Sequence, residues 1–143
     1  MSFAVEGKAT LTKKLTRDDF LVGLLAALAK RGVIAISIRG REFYEAVECA
    51  FHSLEAVAGK FDVTPWFVIV LDPIHGDSPA IKESISSAVL RDIVSLDNPE
   101  YQDLRIKFGP TEADILLDNV PGGPELFDVL ASTFIDAYPY VAV

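Results

Sequence analysis

The chain reads as short apolar runs whose period switches between two and about 3.6. From residue 3 to 15, Phe3, Val5, Ala9, Leu11 and Leu15 alternate with Glu6, Lys8, Thr10, Thr12 and Lys14. A period of two with one polar face predicts an edge strand, with Gly7 as a break between two short pieces. Thr16 then precedes Arg17, Asp18 and Asp19, an N-cap with acids in the first turn, and Lys30-Arg31-Gly32 is the matching stop. Between them Phe20, Leu21, Leu24, Leu25 and Leu28 share one helical face, while Gly23, Ala26 and Ala27 occupy the other. A helix apolar all round is buried on both sides. Its small-residue face predicts close approach of another element, from within the chain in preference to a second subunit.

Val33 to Ile38 is a β-branched run and predicts a strand. The clearest helical period spans residues 42 to 58. Phe43, Val47, Ala50, Phe51, Leu54 and Val57 form its stripe, Glu45, Glu48, His52 and Glu55 lie opposite, and Gly59 is the stop. Trp66 to Leu71 has no polar interruption, which predicts a central strand covered on both faces. Ser78-Pro79 is an N-cap followed by proline at the first helical position, and Ile81, Ile85, Ala88, Val89 and Ile93 carry that helix to about Ser95.

The Asp97-Asn98-Pro99 cluster breaks the chain. Leu104, Ile106 and Phe108, then Ala113, Ile115 and Leu117, alternate with polar residues on either side of Gly109-Pro110. They predict an antiparallel hairpin in which Lys107 faces Glu112 or Asp114. After the Pro121-Gly122-Gly123-Pro124 turn, Leu126, Phe127, Leu130, Phe134 and Ile135 define a last helix that Pro139 stops, leaving Tyr140 to Val143 as an apolar tail.

The predicted order is β-α-β-α-β-α-β-β-α over a single domain, residues 1 to 143. It implies an α/β fold with a mixed central sheet of about five strands flanked by helices. This order is similar to that of thioredoxin-like folds, as an analogy of topology. The redox motif is absent: Arg39-Gly40-Arg41-Glu42 stands where a Cys-x-x-Cys would be, and Pro99 precedes Leu104 by five residues rather than standing directly before the hairpin.

Composition narrows the function classes. Half of the 143 residues are hydrophobic and 14 are aromatic, so the chain has the apolar surface to fold and is not intrinsically disordered. A net charge of −8 opposes nucleic acid and anionic membranes as partners. The imbalance is local: residues 1 to 72 hold nine basic and nine acidic side chains, whereas residues 73 to 143 hold four and twelve. Such a lopsided chain could steer a basic partner through its acidic half. Cys49 is the sole cysteine, which excludes an intramolecular disulfide. With no signal-peptide pattern at the N-terminus and a longest apolar run of ten residues, Phe20 to Ala29, against the about 20 that a membrane span needs, a soluble cytoplasmic protein is expected.

The strongest cluster of chemistry-bearing residues is Asp72-Pro73-Ile74-His75-Gly76-Asp77-Ser78. It follows an apolar strand and leads into a helix, the place where ligands gather in open α/β sheets. Asp72, His75 and Asp77 could hold a divalent metal, share acid-base work or bind a small ligand, with Ser78 at the helix start and Arg39 or Arg41 supplying positive charge from another strand end. The plainer and preferred reading is a strand-to-helix turn, since the same residue types make turns through local hydrogen bonds. Cys49 and His52 are spaced as two metal ligands, but the other two ligands of a zinc site are not identifiable. Asp92 falls on the apolar side of its helix near the end, where fraying is the plainer account.

Gly122-Gly123 sits where a phosphate loop would, but prolines on both sides and Asp118 and Glu125 favour a turn. No dinucleotide fingerprint, Walker-type loop, nucleophile elbow or His-Glu-x-x-His is present, so neither a cofactor nor a metal is expected. The residues therefore favour a non-catalytic protein-interaction or regulatory module, acting on a protein partner or by self-association. The alternative is a small enzyme or a small-ligand- or metal-binding protein built on the Asp72-His75-Asp77 loop.

Overall fold

The computed structural model describes residues 12–97 and 103–138. The alternation from Phe3 to Leu11, Pro99, and the tail from Tyr140 lie outside them. Strand β1 (Lys13–Leu15) runs parallel to β3 (Val63–Pro65), with Lys13 opposite Val63 and Leu15 opposite Pro65. Strands β2 (Ala35–Ser37) and β4 (Val94–Asp97) flank β5 (Asp103–Ile106), both antiparallel to it. The described strands thus form two small sheets, not the single central sheet that the thioredoxin-like analogy requires. Five helices accompany them: α1 (Arg17–Lys30), α2 (Glu42–Val57), α3 (Pro79–Leu90), α4 (Pro110–Asn119) and α5 (Gly123–Ala137). The fold is mixed α/β, and among the described residues no helix is long and apolar enough to cross a membrane.

Helix α1 forms as its signals indicate. Thr16 Oγ1 accepts from the Asp19 N–H at 3.1 Å, and Gly32, at φ 88°, closes the far end as the Val33 and Gly32 amides bond back to Leu28 and Ala29. Every residue from Phe20 to Ala29 is buried. The small face is covered from within the chain: a Cβ on Gly23 would lie 2.5 Å from the fully buried Phe127 ring of α5. Helix α3 docks through a satisfied polar cluster, in which Arg17 Nε donates to Ser84 Oγ at 2.7 Å and that hydroxyl donates to Asp18 Oδ1 at 2.6 Å.

Three expectations are corrected. Helix α3 ends at Leu90 rather than near Ser95. Asp92 takes the left-handed position (φ 61°), with the Ile93 N–H bonded to the Ala88 carbonyl and the Asp92 N–H to that of Val89. This is the helix ending that glycine usually makes, and it frees residues 94 to 97 to become β4. Asp92 is exposed there and paired with Lys107, so it is no buried carboxylate.

The hairpin is consequently β4–β5, one element earlier than its alternation predicts, with Leu96 and Ile36 opposite Leu104 on the inner face. Residues 110 to 119 are helical. Ala113, Ile115 and Leu117 suit a period of two, but Ala113, Leu116, Leu117 and Val120 suit a helix equally well. Pro110 in the first turn and the Gly109 N–H donating to Glu112 Oε1 at 3.3 Å decide for the helix, leaving Ile115 exposed. Lys107 accordingly faces neither Glu112 nor Asp114.

The charge imbalance is partly answered inside the fold. Lys30 pairs with Asp114 at 2.7 Å, which raises the lysine pKa through the hydrogen bond and the carboxylate charge. Arg31 reaches Asp128 at 2.8 Å and Ser132 Oγ at 2.8 Å. Cations of the balanced half therefore dock the acidic helices α4 and α5 onto α1.

The third correction concerns Trp66 to Leu71. The paired strand stops at Pro65, and one hydrogen bond continues it, from the Trp66 N–H to the Leu15 carbonyl at 2.9 Å. Beyond that point burial alternates. Ile69 is buried, and Phe67 packs its ring 5.2 Å from both Phe20 and Phe51, whereas Trp66, Val68 and Val70 face outward. One face of this run is covered, not two.

Candidate functional site

The Asp72–Ser78 loop is held by its own side chains. Asp72 Oδ1 accepts from the N–H of Ile74 at 2.8 Å and of His75 at 2.9 Å, an Asx turn. The Asp72 N–H donates to the Asp77 carbonyl, and the Gly76 N–H to that of Asp72. Gly76 lies at φ 71°, under the Arg41 side chain, and Arg41 Nη2 donates to the Ile74 carbonyl at 3.2 Å. The two amide donors, His75 ahead of Ile74, hold the Asp72 carboxyl below the usual carboxylate range. The turn's contribution to stability is therefore complete above that usual range and fades as pH falls through the lowered value. Ser78 is the buried N-cap of α3, its Oγ accepting from the Ile81 N–H at 3.1 Å. Loop architecture thus accounts for Asp72, Ser78 and Arg41.

Arg39, His75 and Asp77 come together elsewhere, around a cleft of about 410 Å³ at the carboxyl end of β2. Tyr44 from α2 and Lys82 and Ser86 from α3 complete its polar wall, and Ile38, Ile85 and Leu96 supply apolar surface. Lys82 Nζ lies 2.6 Å from Asp77 Oδ2, and this hydrogen bond raises the lysine pKa. Burial pushes the Tyr44 phenol up, while the nearby Lys82 opposes that shift.

Sequence reasoning missed Tyr44 and Lys82. Tyr44 stands beside Phe43 on the edge of a helical stripe and reads as core. The spacing of Lys82 from Asp77 was the available signal, since an acid just before a helix and a lysine in its first turns can meet.

Cys49 and His52 do not form a metal site. Cys49 is exposed, and His52 Nδ1 lies 3.1 Å from Glu55 Oε1. Among the described residues no three His, Cys, Asp or Glu side chains gather around a common metal position.

A second feature is a surface and not a cleft. Trp66 is 67% exposed, Val68 68%, Val70 72% and Ile74 78%. Among the described residues, no hydrogen bond engages the backbone of Phe67 to Leu71. The stripe has charged ends, with Lys14 Nζ 4.3 Å from the centre of the Trp66 ring and Asp72 at the other. Comparison with protein-family models, with curated proteins and with solved structures finds no match to this chain.

Proposed function

We propose that this protein is a non-catalytic interaction module, and that its Trp66–Leu71 segment pairs with the same segment of a second copy. The observation that carries this reading is the backbone of Phe67 to Leu71, which makes no hydrogen bond among the described residues and is edged by the exposed Trp66, Val68 and Val70. Unpaired backbone beside exposed apolar side chains is a template for strand addition. Isolated exposed apolar residues are ordinary on protein surfaces; three in alternation along one segment, Trp66, Val68 and Val70, make a stripe.

Charge argues for a second copy as the occupant. Antiparallel pairing about a two-fold axis at Ile69 sets Trp66 opposite Asp72 and Val68 opposite Val70, keeping all outward residues on one face. Lys14, seated on Trp66, then meets Asp72 of the other copy at both ends of the pair. The segment also belongs to the charge-balanced half of the chain, so two copies meet there without the repulsion that the acidic half would impose. The exposed lone thiol Cys49 suits a reducing cytoplasm as the setting.

Trp66 is the only tryptophan, which makes it a direct reporter. Light scattering should show a dimer that dissociates on dilution, with acrylamide quenching of Trp66 increasing as it does. Val68→Lys should yield a folded monomer. A wild type that stays monomeric and fully quenchable at every concentration would overturn the reading.

A further inference from the structure

Ile74 stands just beyond the pairing stripe and is 78% exposed, more than any residue of the stripe itself. The loop nevertheless holds its backbone on both sides. The Ile74 N–H donates to Asp72 Oδ1 at 2.8 Å, and the Ile74 carbonyl accepts from Arg41 Nη2 at 3.2 Å. Pro73 fixes the φ angle just ahead of it. Gly76 is buried under the Arg41 side chain, where a Cβ would lie 2.7 Å from Arg41 Cβ and Nε. Among the described residues Arg41 makes no ion pair, so its guanidinium is committed to the Ile74 carbonyl. Ordering a chain costs conformational entropy, and an isoleucine fixed in water returns none of it. A contact that is already fixed, in contrast, needs little further ordering when another molecule covers it.

We propose that Ile74 is the anchor of the paired state, seated on the open face of Trp66 of the second copy, and that Arg41 is the positioning residue that presents it. The inference rests on the pairing of Trp66–Leu71 and adds the residue that closes each end. With the two-fold axis at Ile69, Trp66 of one copy lies opposite Asp72 of the other, so the Asp72–Ser78 loop emerges beside that indole. Lys14 covers one face of the ring, its Nζ 4.3 Å from the centre, and with Trp66 67% exposed the other face is open. An isoleucine laid on an indole removes apolar surface of both from water. Asp72 serves both contacts. Its Oδ1 takes the Ile74 and His75 amides, at 2.8 and 2.9 Å, while Oδ2 makes no hydrogen bond among the described residues and is left for Lys14 of the other copy.

The test uses the full chain. In a dimer assembled from isotope-labelled and unlabelled copies, filtered NMR should show Ile74 methyl protons close to the Trp66 ring of the other copy. Ile74→Ala should weaken dimerisation roughly tenfold at each of the two symmetric ends, or about a hundredfold in the dimer Kd. The urea midpoint of the dilute monomer should not change. Arg41→Gln should weaken the dimer roughly tenfold by releasing the loop. In the Ile74→Ala background it should have no further effect, whereas an arginine with a merely structural role would lower affinity in both backgrounds. Additive losses in the double variant would therefore overturn the role of Arg41. If wild type dimerises and Val68→Lys abolishes this while Ile74→Ala pairs as tightly as wild type, or shows no contact to Trp66, the pairing reading stands and the anchor fails. A wild type that is monomeric at every concentration overturns both.

Discussion

Two runs of this chain are uninterruptedly apolar, Phe20 to Ala29 and Trp66 to Leu71, and the fold treats them differently. All ten residues of the first are buried. Helices α3, α4 and α5 surround it, and Gly23 lets α5 approach so closely that Phe127 occupies the space of a side chain. The second run is covered on one face only, by the Phe20 and Phe51 rings against Phe67. Apolarity states what a segment would bury, and neighbours decide how much of it is buried. Where the described residues supply no neighbour, the remaining surface is open to another molecule.

The largest effect expected from this contrast is at Phe20, which belongs to the enclosed run and also supports the inner face of the open one. Phe20→Ala should lower unfolding stability by about 3–5 kcal/mol, read from the urea midpoint. It should also loosen Phe67 and so disturb the stripe. Gly23→Ala comes next. Overpacking against a rigid ring costs about 1–3 kcal/mol, while alanine returns up to about 1 kcal/mol of helix propensity. A net loss is expected, because the Phe127 ring is wholly buried and has little room to retreat. A stabilised Gly23→Ala variant would show that α1 and α5 are not closely packed.

Caps and helical periods were legible in the sequence because they are local. Thr16, Ser78 and Gly32 act where their residue types indicate, and the stripes of α2 and α5 point inward. What failed depended on partners or on unusual chemistry. Asp92 ends α3 in a conformation that signals itself only when the residue is glycine, so the helical period runs on past Leu90 in the sequence and hides β4. Residues 113 to 117 satisfied two periods at once, and Pro110 decided between them. For the site, the loop composition led to Arg39, His75 and Asp77, which do line one cleft. Tyr44 and Lys82 enter it only because the fold brings α2 and α3 to that loop.

Asp92 offers a smaller test of the same division between local signal and tertiary demand. A side chain in the left-handed region costs about 1 kcal/mol or more, less for Asp and Asn than for others. Asp92→Ala should therefore destabilise by about 1 kcal/mol, whereas Asp92→Gly should be neutral or mildly stabilising. The Lys107 pair lost in both variants is exposed and contributes little. Equal losses in the two would mean that the ion pair, and not the backbone, ends α3.

The smallest expected effect is the most informative about the open run. Val68 is 68% exposed, so Val68→Thr replaces a methyl that water already reaches. At concentrations where the protein is monomeric, its stability should change by less than about 0.5 kcal/mol. The same substitution at Ile69, buried on the inner face, should cost several times more, since a hydroxyl would then be placed in the core without a partner. At high concentration the order of effects on association should reverse, with Val68→Thr weakening the pair. If dilute Val68→Thr instead loses more than about 1 kcal/mol, the outer face is covered in the single chain. The contrast between the two apolar runs would then vanish, and the pairing surface with it.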